Sequence, residues 1–181
     1  ISIKLPVFDI SGETGSLISI GIDVSRRKLV ESALQNVALS ITSVQGENVL
    51  RELASYVCES LRVDFALIGS VRDGVVDTLA VCDRGVILDT FAYDLAGTPC
   101  EDVVGKQFSI HPDKLLHLYP RNELLRRFGF RSYAGIPLFD SAGVAIGILA
   151  VLHRRPMRQP QFVASLLKLY SVRAAAELER L

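Results

Sequence analysis

The sequence predicts an α+β fold whose sheet is covered on both faces. The stretch from Arg131 to Leu152, RSYAGIPLFDSAGVAIGILAVL, is two apolar runs joined by Asp140-Ser141-Ala142-Gly143, a pattern typical of a β-hairpin. Both alternating sets of side chains in the second run are apolar, so both faces of this hairpin must be buried. Apolar residues at helical spacing over 50–62 and 159–181 supply the covering helices.

The composition limits the class of protein. The 181 residues include 20 basic and 20 acidic side chains and are 49% hydrophobic, which suits one globular domain or one domain plus a fragment of another. The net charge of zero argues against a nucleic-acid partner, which needs a basic surface. No apolar run approaches the roughly 20 residues of a membrane-spanning helix. We therefore expect a cytoplasmic protein without direct membrane insertion.

The chain opens with a predicted hairpin and a predicted helix. Apolar residues recur at period two in 1–8 and 17–24, around a Gly-rich turn at 11–15. The pattern is under way at the first residue, so we expect a piece of a longer polypeptide. From Arg26 the apolar residues recur at spacings of 4, 3, 4 and 3, at Val30, Leu34, Val37, Ile41 and Val44. This stripe is either a core-facing surface or a dimer seam, and the spacing leaves both open.

The strands and short helices of the middle follow in order. Phe65–Val71 and Val75–Cys82 flank the turn former Arg72-Asp73-Gly74 and predict a second hairpin. Residues 87–95 and 106–110 predict further short strands. Residues 113–118 and 122–128 predict two short helices, separated by Pro120 and stopped by Gly129.

Thr98-Pro99-Cys100-Glu101 is the sharpest local signal. Thr at the N-cap, Pro at the first helical position and Glu at the third form a capping box, which predicts a short helix through about Val104. The sulfur of Cys100 would then feel the positive end of the helix dipole, partly cancelled by Glu101 and Asp102.

This order of elements and several motifs resemble a GAF domain of bacterial sensor kinases and cyclic-di-nucleotide signalling proteins. The resemblance is carried by Thr98-Pro99-Cys100-Glu101, Phe128-Gly129, Ser132–Leu138, Asp140–Gly143 with Gly147, and the ending Ala174–Arg180. It implies a central antiparallel sheet of about six strands, with the N- and C-terminal helices on one face. The 85–130 insert, made of short helices and loops, would cover a small-molecule pocket on the other face. A bulge is expected at Pro137, which lacks a ladder hydrogen bond.

The hexapeptide Asp23-Val24-Ser25-Arg26-Arg27-Lys28, with the hairpin before it, resembles the C-terminal end of a PAS domain. A simple N-cap at Ser25 is compatible with the same residues. The resulting division is 1–28 as the end of a truncated PAS domain, 29–46 as a signalling helix, and 47–181 as the GAF domain.

The candidate ligand-binding residues lie mostly in the insert. They are Phe91, Tyr93, Cys100, Phe108, Tyr119 and Tyr133. Aromatic walls with a few polar groups suit a small-molecule pocket, and they equally suit an ordinary core. Cys58 and Cys82 are interpreted as reduced core thiols.

No catalytic, metal or cofactor motif stands out. A Gly-rich phosphate loop, a nucleophile elbow and a zinc motif are absent from the sequence. His111, Asp113 and His117 could approach a metal ion. They lie in a Pro-interrupted segment that offers no third strong ligand beside the two histidines, so no metal site is predicted. The chain lacks the Asn-Lys-x-x-x-Asp-Glu pattern of cyclic-nucleotide GAF domains, and Glu101 replaces the His that typically follows a bilin-binding Cys. The cofactor stays unidentified.

The primary hypothesis is a non-catalytic sensory module of a bacterial two-component system. It would bind a small molecule or sense redox state, form a homodimer through its terminal helices, and signal to a downstream effector domain. One alternative is the GAF-fold free methionine sulfoxide reductase, with Cys100 reactive. The other is a ligand-free dimerisation spacer.

Overall fold

The structure is a computed structural model of the chain, and it describes residues 2–8, 14–21, 47–104 and 108–181. The chain divides into two compact units, residues 1–32 and residues 33–181. None of the helices described has both the length and the apolar composition of a membrane-spanning segment.

The first unit contains an antiparallel hairpin. Strand β1, Ser2–Phe8, pairs with β2, Thr14–Gly21, with Leu5 opposite Ile18. The predicted first hairpin is therefore confirmed. The predicted helix with its 4-3-4-3 stripe, and the 23–28 motif, lie outside the described residues.

The described residues of the second unit form a seven-stranded antiparallel sheet with four helices. Its strands are β3 Phe65–Arg72, β4 Val75–Asp83, β5 Val86–Ile87, β6 Ala92–Asp94, β7 Ser109–His111, β8 Ser132–Phe139 and β9 Ala145–His153. Its helices are α1 Glu47–Leu61, α2 Leu115–Leu118, α3 Glu123–Phe128 and α4 Pro160–Glu179. The strand order is β5-β4-β3-β9-β8-β7, and β6 pairs with the start of β4. The α+β prediction is confirmed, with one strand more than expected.

The terminal helices cover one face of the sheet. Every second strand residue points to the terminal helices α1 and α4. These strand residues and the helix residues that they contact form the helix-side cluster. Its members include Leu50, Val57, Leu166, Leu167 and Tyr170 from the helices, and Ala66, Ile68, Ala134, Leu149 and Val151 from the strands. The intervening strand positions belong to a separate insert-side cluster under the 85–130 insert. That cluster includes Phe65, Leu67, Ile148, Ala150 and Leu152 from the strands, and Cys100, Val103, Leu115, Leu125 and Phe130 from the insert. The period-two alternation therefore divides the core into two layers.

The central hairpin β8–β9 turns at Asp140–Gly143. Asp140 Oδ1 accepts hydrogen bonds from Ala142 N at 3.0 Å and Val144 N at 2.7 Å, and Gly143 adopts φ +80°. A side chain at this φ would be strained, which explains the glycine.

The predicted bulge at Pro137 is displaced. Pro137 stays in register opposite Ile148, and the register shifts between Leu138 and Phe139. The described β7 pairs only with residues 133–135 of β8. Pro137 therefore withdraws no N–H from β7, and the strand need not bulge there.

The strand predicted over 87–95 is divided into β5 and β6. Between them, Thr78 Oγ1 donates to Phe91 O and accepts from Phe91 N, both at 2.7 Å. The side chain of Thr78 thus replaces part of the strand ladder, beside the register shift that separates Ile68 from Gly69.

Candidate functional site

A cavity of about 440 Å³, counting its open mouth, lies between the sheet and the insert. The sheet contributes Phe65, Leu67, Tyr133 and Leu152. The segment after β5 contributes Phe91, Tyr93, Thr98, Pro99 and Cys100. Helix α3 and its flanks contribute Asn122, Leu124, Leu125, Phe128 and Phe130. These residues are apolar or uncharged, as is typical of the walls of small-molecule sites.

Aromatic rings make up much of the wall. The ring centroid of Phe65 lies 5.1 Å from that of Phe130 and 5.8 Å from that of Phe128. Phe128 and Phe130 are stacked, with an interplanar angle of 13°. Asn122 caps α3 by accepting from Leu125 N at 2.9 Å, and this cap positions the two leucines of α3 that line the cavity.

The predicted helix at 98–104 is wrong, because the segment is a series of turns. Thr98 Oγ1 donates to Leu95 O at 2.7 Å instead of accepting from the next turn. The carboxylate of Glu101 accepts from Gly97 N at 2.8 Å, one residue earlier than a capping box requires. Cys100 therefore has no helix dipole to lower its pKa.

Cys100 accepts hydrogen bonds from two tyrosines. Tyr93 Oη donates to its Sγ at 3.2 Å, and Tyr133 Oη donates at 3.4 Å. Burial raises the pKa of the Cys100 thiol despite these donors, and burial likewise raises the pKa of both phenols. The cluster is therefore neutral at physiological pH, with a thiol and two phenols at one end of the cavity.

The fully buried ring of Tyr133 depends on Gly135. A Cβ at position 135 would collide with the Tyr133 hydroxyl and lie 3.0 Å from Val103 Cγ2. Glycine at 135 therefore leaves the space that the phenol occupies.

Tyr119 belongs to a neighbouring polar cluster and does not line the cavity. Its hydroxyl donates to Asp102 Oδ2, and His111 Nε2 lies 3.3 Å from the same hydroxyl. Burial, followed by the hydrogen bond to Asp102, raises the pKa of Tyr119. The ring centroid of His111 lies 6.1 Å from that of Tyr133, so this cluster stands behind the cavity wall.

Phe108 packs against the helix-side cluster, together with Ile110. Phe108 immediately precedes β7 and lies two residues before Ile110, so the alternation of side chains places both on the helix side. Of the six candidate residues, the structure brings Phe91, Tyr93, Cys100 and Tyr133 together around the cavity. Phe108 and Tyr119 lie elsewhere.

Sequence reasoning missed three aromatic wall residues, Phe65, Phe128 and Phe130. Phe128 and Phe130 flank Gly129, which takes φ +70° and ends α3. The helix-stop prediction at Gly129 was available as a signal that the chain turns back here. The alternation of apolar residues in β3 placed Phe65 on one face of the sheet, but it did not indicate which segment covers that face.

The other two cysteines lie on the far side of the sheet. Cys58 Sγ donates to Cys82 O at 3.7 Å, and both residues belong to the helix-side cluster. Burial raises the pKa of Cys58. Among the residues described, no group of three His, Cys, Asp or Glu side chains could hold a metal ion.

Comparisons with known proteins agree with this architecture. The family model of the GAF domain matches residues 45–178. Hybrid signal transduction histidine kinase F of Dictyostelium discoideum is 22% identical over 156 residues, which cover 84% of this chain and 13% of the kinase. The chain therefore spans a small part of that signalling protein.

Solved structures share the fold at low identity. The chromophore-binding domain of Stigmatella aurantiaca phytochrome P1 aligns with a TM-score of 0.65 and 13% identity, covering 91% of this chain and 66% of that one. The GAF domain of a Coxiella burnetii phosphoenolpyruvate-protein phosphotransferase aligns with a TM-score of 0.65 and 16% identity, covering 87% and 94%. A phycoerythrobilin-bound GAF domain of a cyanobacterial phytochrome aligns with a TM-score of 0.62 and 14% identity, covering 89% and 96%.

Proposed function

The chain belongs to the GAF domain family, and on that premise we propose that residues 47–181 are a regulatory sensory module that binds a small molecule in the cavity. Four of the six residues predicted from the sequence are the proposed ligand contacts: Phe91, Tyr93, Cys100 and Tyr133. Phe108 and Tyr119 are left out because they do not line the cavity.

One observation carries this proposal: the same three strands line the cavity on one face and pack against the terminal helices on the other. In β9, Leu152 lines the cavity while its neighbour Val151 belongs to the helix-side cluster. In β8, Tyr133 and Ala134 are divided in the same way. A ligand that shifts these strands therefore changes the surface on which α1 and α4 rest.

The signal is proposed to be a population shift between two packings of the terminal helices. A ligand shifts such an equilibrium only by the difference in its affinity for the two states. We propose that the shift passes to a downstream effector domain, as in a two-component protein, and that the protein is a cytoplasmic homodimer through its terminal helices. The similarity to a hybrid histidine kinase supports the signalling context.

The finer domain division is also a proposal. Residues 1–28 are proposed as the end of a PAS domain, on the strength of the β1–β2 hairpin and the motif that follows it in sequence. Residues 29–46 are proposed as the helix that joins it to the GAF domain.

The cysteine arrangement does not favour the methionine sulfoxide reductase. A sulfenic acid at Cys100 would need a nearby thiol to resolve it. Cys58 and Cys82 belong to the helix-side cluster, whereas Cys100 belongs to the insert-side cluster, so the sheet separates them.

The test uses an uncharged apolar fluorophore, N-phenyl-1-naphthylamine, titrated into the whole chain. Leu124 lines the cavity on α3, so Leu124→Trp should narrow it and weaken binding about tenfold or more, which corresponds to about 1.4 kcal/mol. The matched control is Leu118→Trp on α2, a residue that is 56% exposed and does not line the cavity. Its affinity should equal that of the unmodified chain.

The chain has no tryptophan, so each variant also carries a single indole whose emission reports its surroundings. Equal binding by the two variants would contradict the cavity as the site. Binding should also alter amide hydrogen exchange in α1 or α4. Binding that leaves exchange in both helices unchanged would contradict the proposed transmission to the helices, and absence of binding would favour the ligand-free spacer.

A further inference from the structure

Two phenol hydroxyls at one end of the cavity share a single weak acceptor. Tyr93 Oη and Tyr133 Oη both donate to Cys100 Sγ, and Tyr133 and Cys100 are almost completely buried. Thiol sulfur is a poor hydrogen-bond acceptor, whereas buried tyrosine hydroxyls usually find an oxygen or nitrogen partner. Within the described part of the chain, this sulfur is the one acceptor to which either hydroxyl donates. Both hydroxyls would therefore form stronger hydrogen bonds if a ligand oxygen entered the cavity beside them.

The wall excludes a charged ligand. None of the described residues that line the cavity carries an ionisable group that is charged at neutral pH, since the thiol and phenols keep their protons. The carboxylate of Asp102 faces Tyr119 and is not part of the lining. An ion that entered would lose its hydration without a counter-charge.

The aromatic walls favour a flat ring. Phe128 and Phe130 present stacked rings with centroids 5.5 Å apart, and Phe65 lies tilted against both. Offset and edge-on contacts with such rings stabilise an aromatic guest beyond the burial of its surface.

We infer that the cavity takes an uncharged ring compound that carries a hydrogen-bond acceptor such as a ketone oxygen, and that Tyr93 and Tyr133 donate to this acceptor in place of Cys100. This inference rests on the proposed ligand-binding function and specifies the chemical class of the ligand. The sulfur holds the two hydroxyls in place until the acceptor arrives.

The experiment compares three probes with one ring system, each displacing N-phenyl-1-naphthylamine from the whole chain. 2-Acetylnaphthalene has a neutral acceptor, 2-ethylnaphthalene has none, and 2-naphthoate carries a charge at pH 7. The two neutral probes differ in their partition from water. The measured quantity is therefore the affinity ratio of ketone to hydrocarbon, followed from variant to variant so that this difference cancels.

Tyr133→Phe and Tyr93→Phe should each lower the ratio about three- to tenfold, the usual net effect of one hydrogen bond. Cys100→Ala removes the competing sulfur and should raise the ratio. The matched control is Tyr170→Phe, which loses a buried hydrogen bond to Ser60 Oγ on the helix side and should leave the ratio unchanged.

The outcomes separate this inference from the function it rests on. Probe binding that is sensitive to Leu124→Trp, with a ratio that neither cavity tyrosine changes, would overturn the inference and leave the binding function standing. Tightest binding by 2-naphthoate would overturn the uncharged class. Absence of any probe binding sensitive to Leu124→Trp would overturn the proposed function itself.

Discussion

Replacing Arg154 with lysine should destabilise the GAF domain by about 2 kcal/mol. The Arg154 guanidinium forms a bidentate pair with Asp83 at 2.8 and 2.9 Å, and its Nε donates to Phe128 O at 3.0 Å. Its Cζ lies 4.9 Å from the centroid of the Phe130 ring. The side chain thereby ties the ends of β4 and β9 to the end of α3, beside the cavity.

The magnitude follows from what lysine cannot replace. A single ammonium group keeps the charge but not the two-pronged contact with Asp83 or the bond to Phe128 O. A hydrogen bond to a charged group contributes about 1.5–3 kcal/mol and a neutral one about 1 kcal/mol. The Arg154 side chain is 20% exposed, so water compensates for part of this loss. A net loss of about 2 kcal/mol corresponds to a fall in Tm of about 4–8 °C for a domain of this size.

Urea unfolding followed by tyrosine fluorescence measures the change. All five tyrosines lie between residues 56 and 170, so the signal reports on the second unit alone. Arg131→Lys is the matched control, because Arg131 forms a similar bidentate pair with Asp113 in an exposed position. Exposed pairs contribute little, so this variant should be indistinguishable from the unmodified chain. Equal effects of the two substitutions, or strict additivity of Arg154→Lys with Asp83→Asn, would refute the reasoning.

Two further predictions concern the packing of glycines and the pH dependence of unfolding. Gly147→Ala should cost about 2–3 kcal/mol of overpacking in the same urea assay, because a Cβ there would meet Leu178 Cδ2 and lie 2.5 Å from the Gly69 carbonyl oxygen. Gly143→Ala, in open space at φ +80°, should cost about 1 kcal/mol, and equal losses would contradict the packing argument. Burial works to raise the pKa of Asp64, but the Arg154 N–H and His153 outweigh it and hold that pKa below its usual range. The stability that Asp64 contributes is therefore complete above its unfolded pKa of about 4 and is lost as the pH falls through the lowered folded value. Unfolding measured from neutral to acidic pH should show a shallower acid limb in Asp64→Asn, and identical limbs would count against this.

The strands and long helices could be predicted because their signals are local. The Asp73-Gly74 turn between β3 and β4 needs positive φ at both residues, and the sequence marks it directly. The two apolar faces of β9 likewise required two coverings, and the structure provides both.

Other features depend on contacts that no local pattern records. The capping-box residues at Thr98 and Glu101 were present, but their side chains bond to Leu95 O and Gly97 N within a turn. Phe108 resembled the other aromatic candidates, but it shares the alternation phase of Ile110 and therefore lies in the opposite layer. The cavity itself is a property of packing density, and no residue type specifies unfilled space.

The alternation along β8 and β9 has a consequence for how such domains diversify. Neighbouring positions such as Ala150 and Val151 lie in different layers, so selection can act on one without disturbing the other. Under the proposed function, exchanges at every second position would alter which compound binds in the cavity, while the surface on which α1 and α4 pack stays constant. If the proposal holds, related domains could evolve new ligand specificities on the insert side without rebuilding the helix side of the sheet.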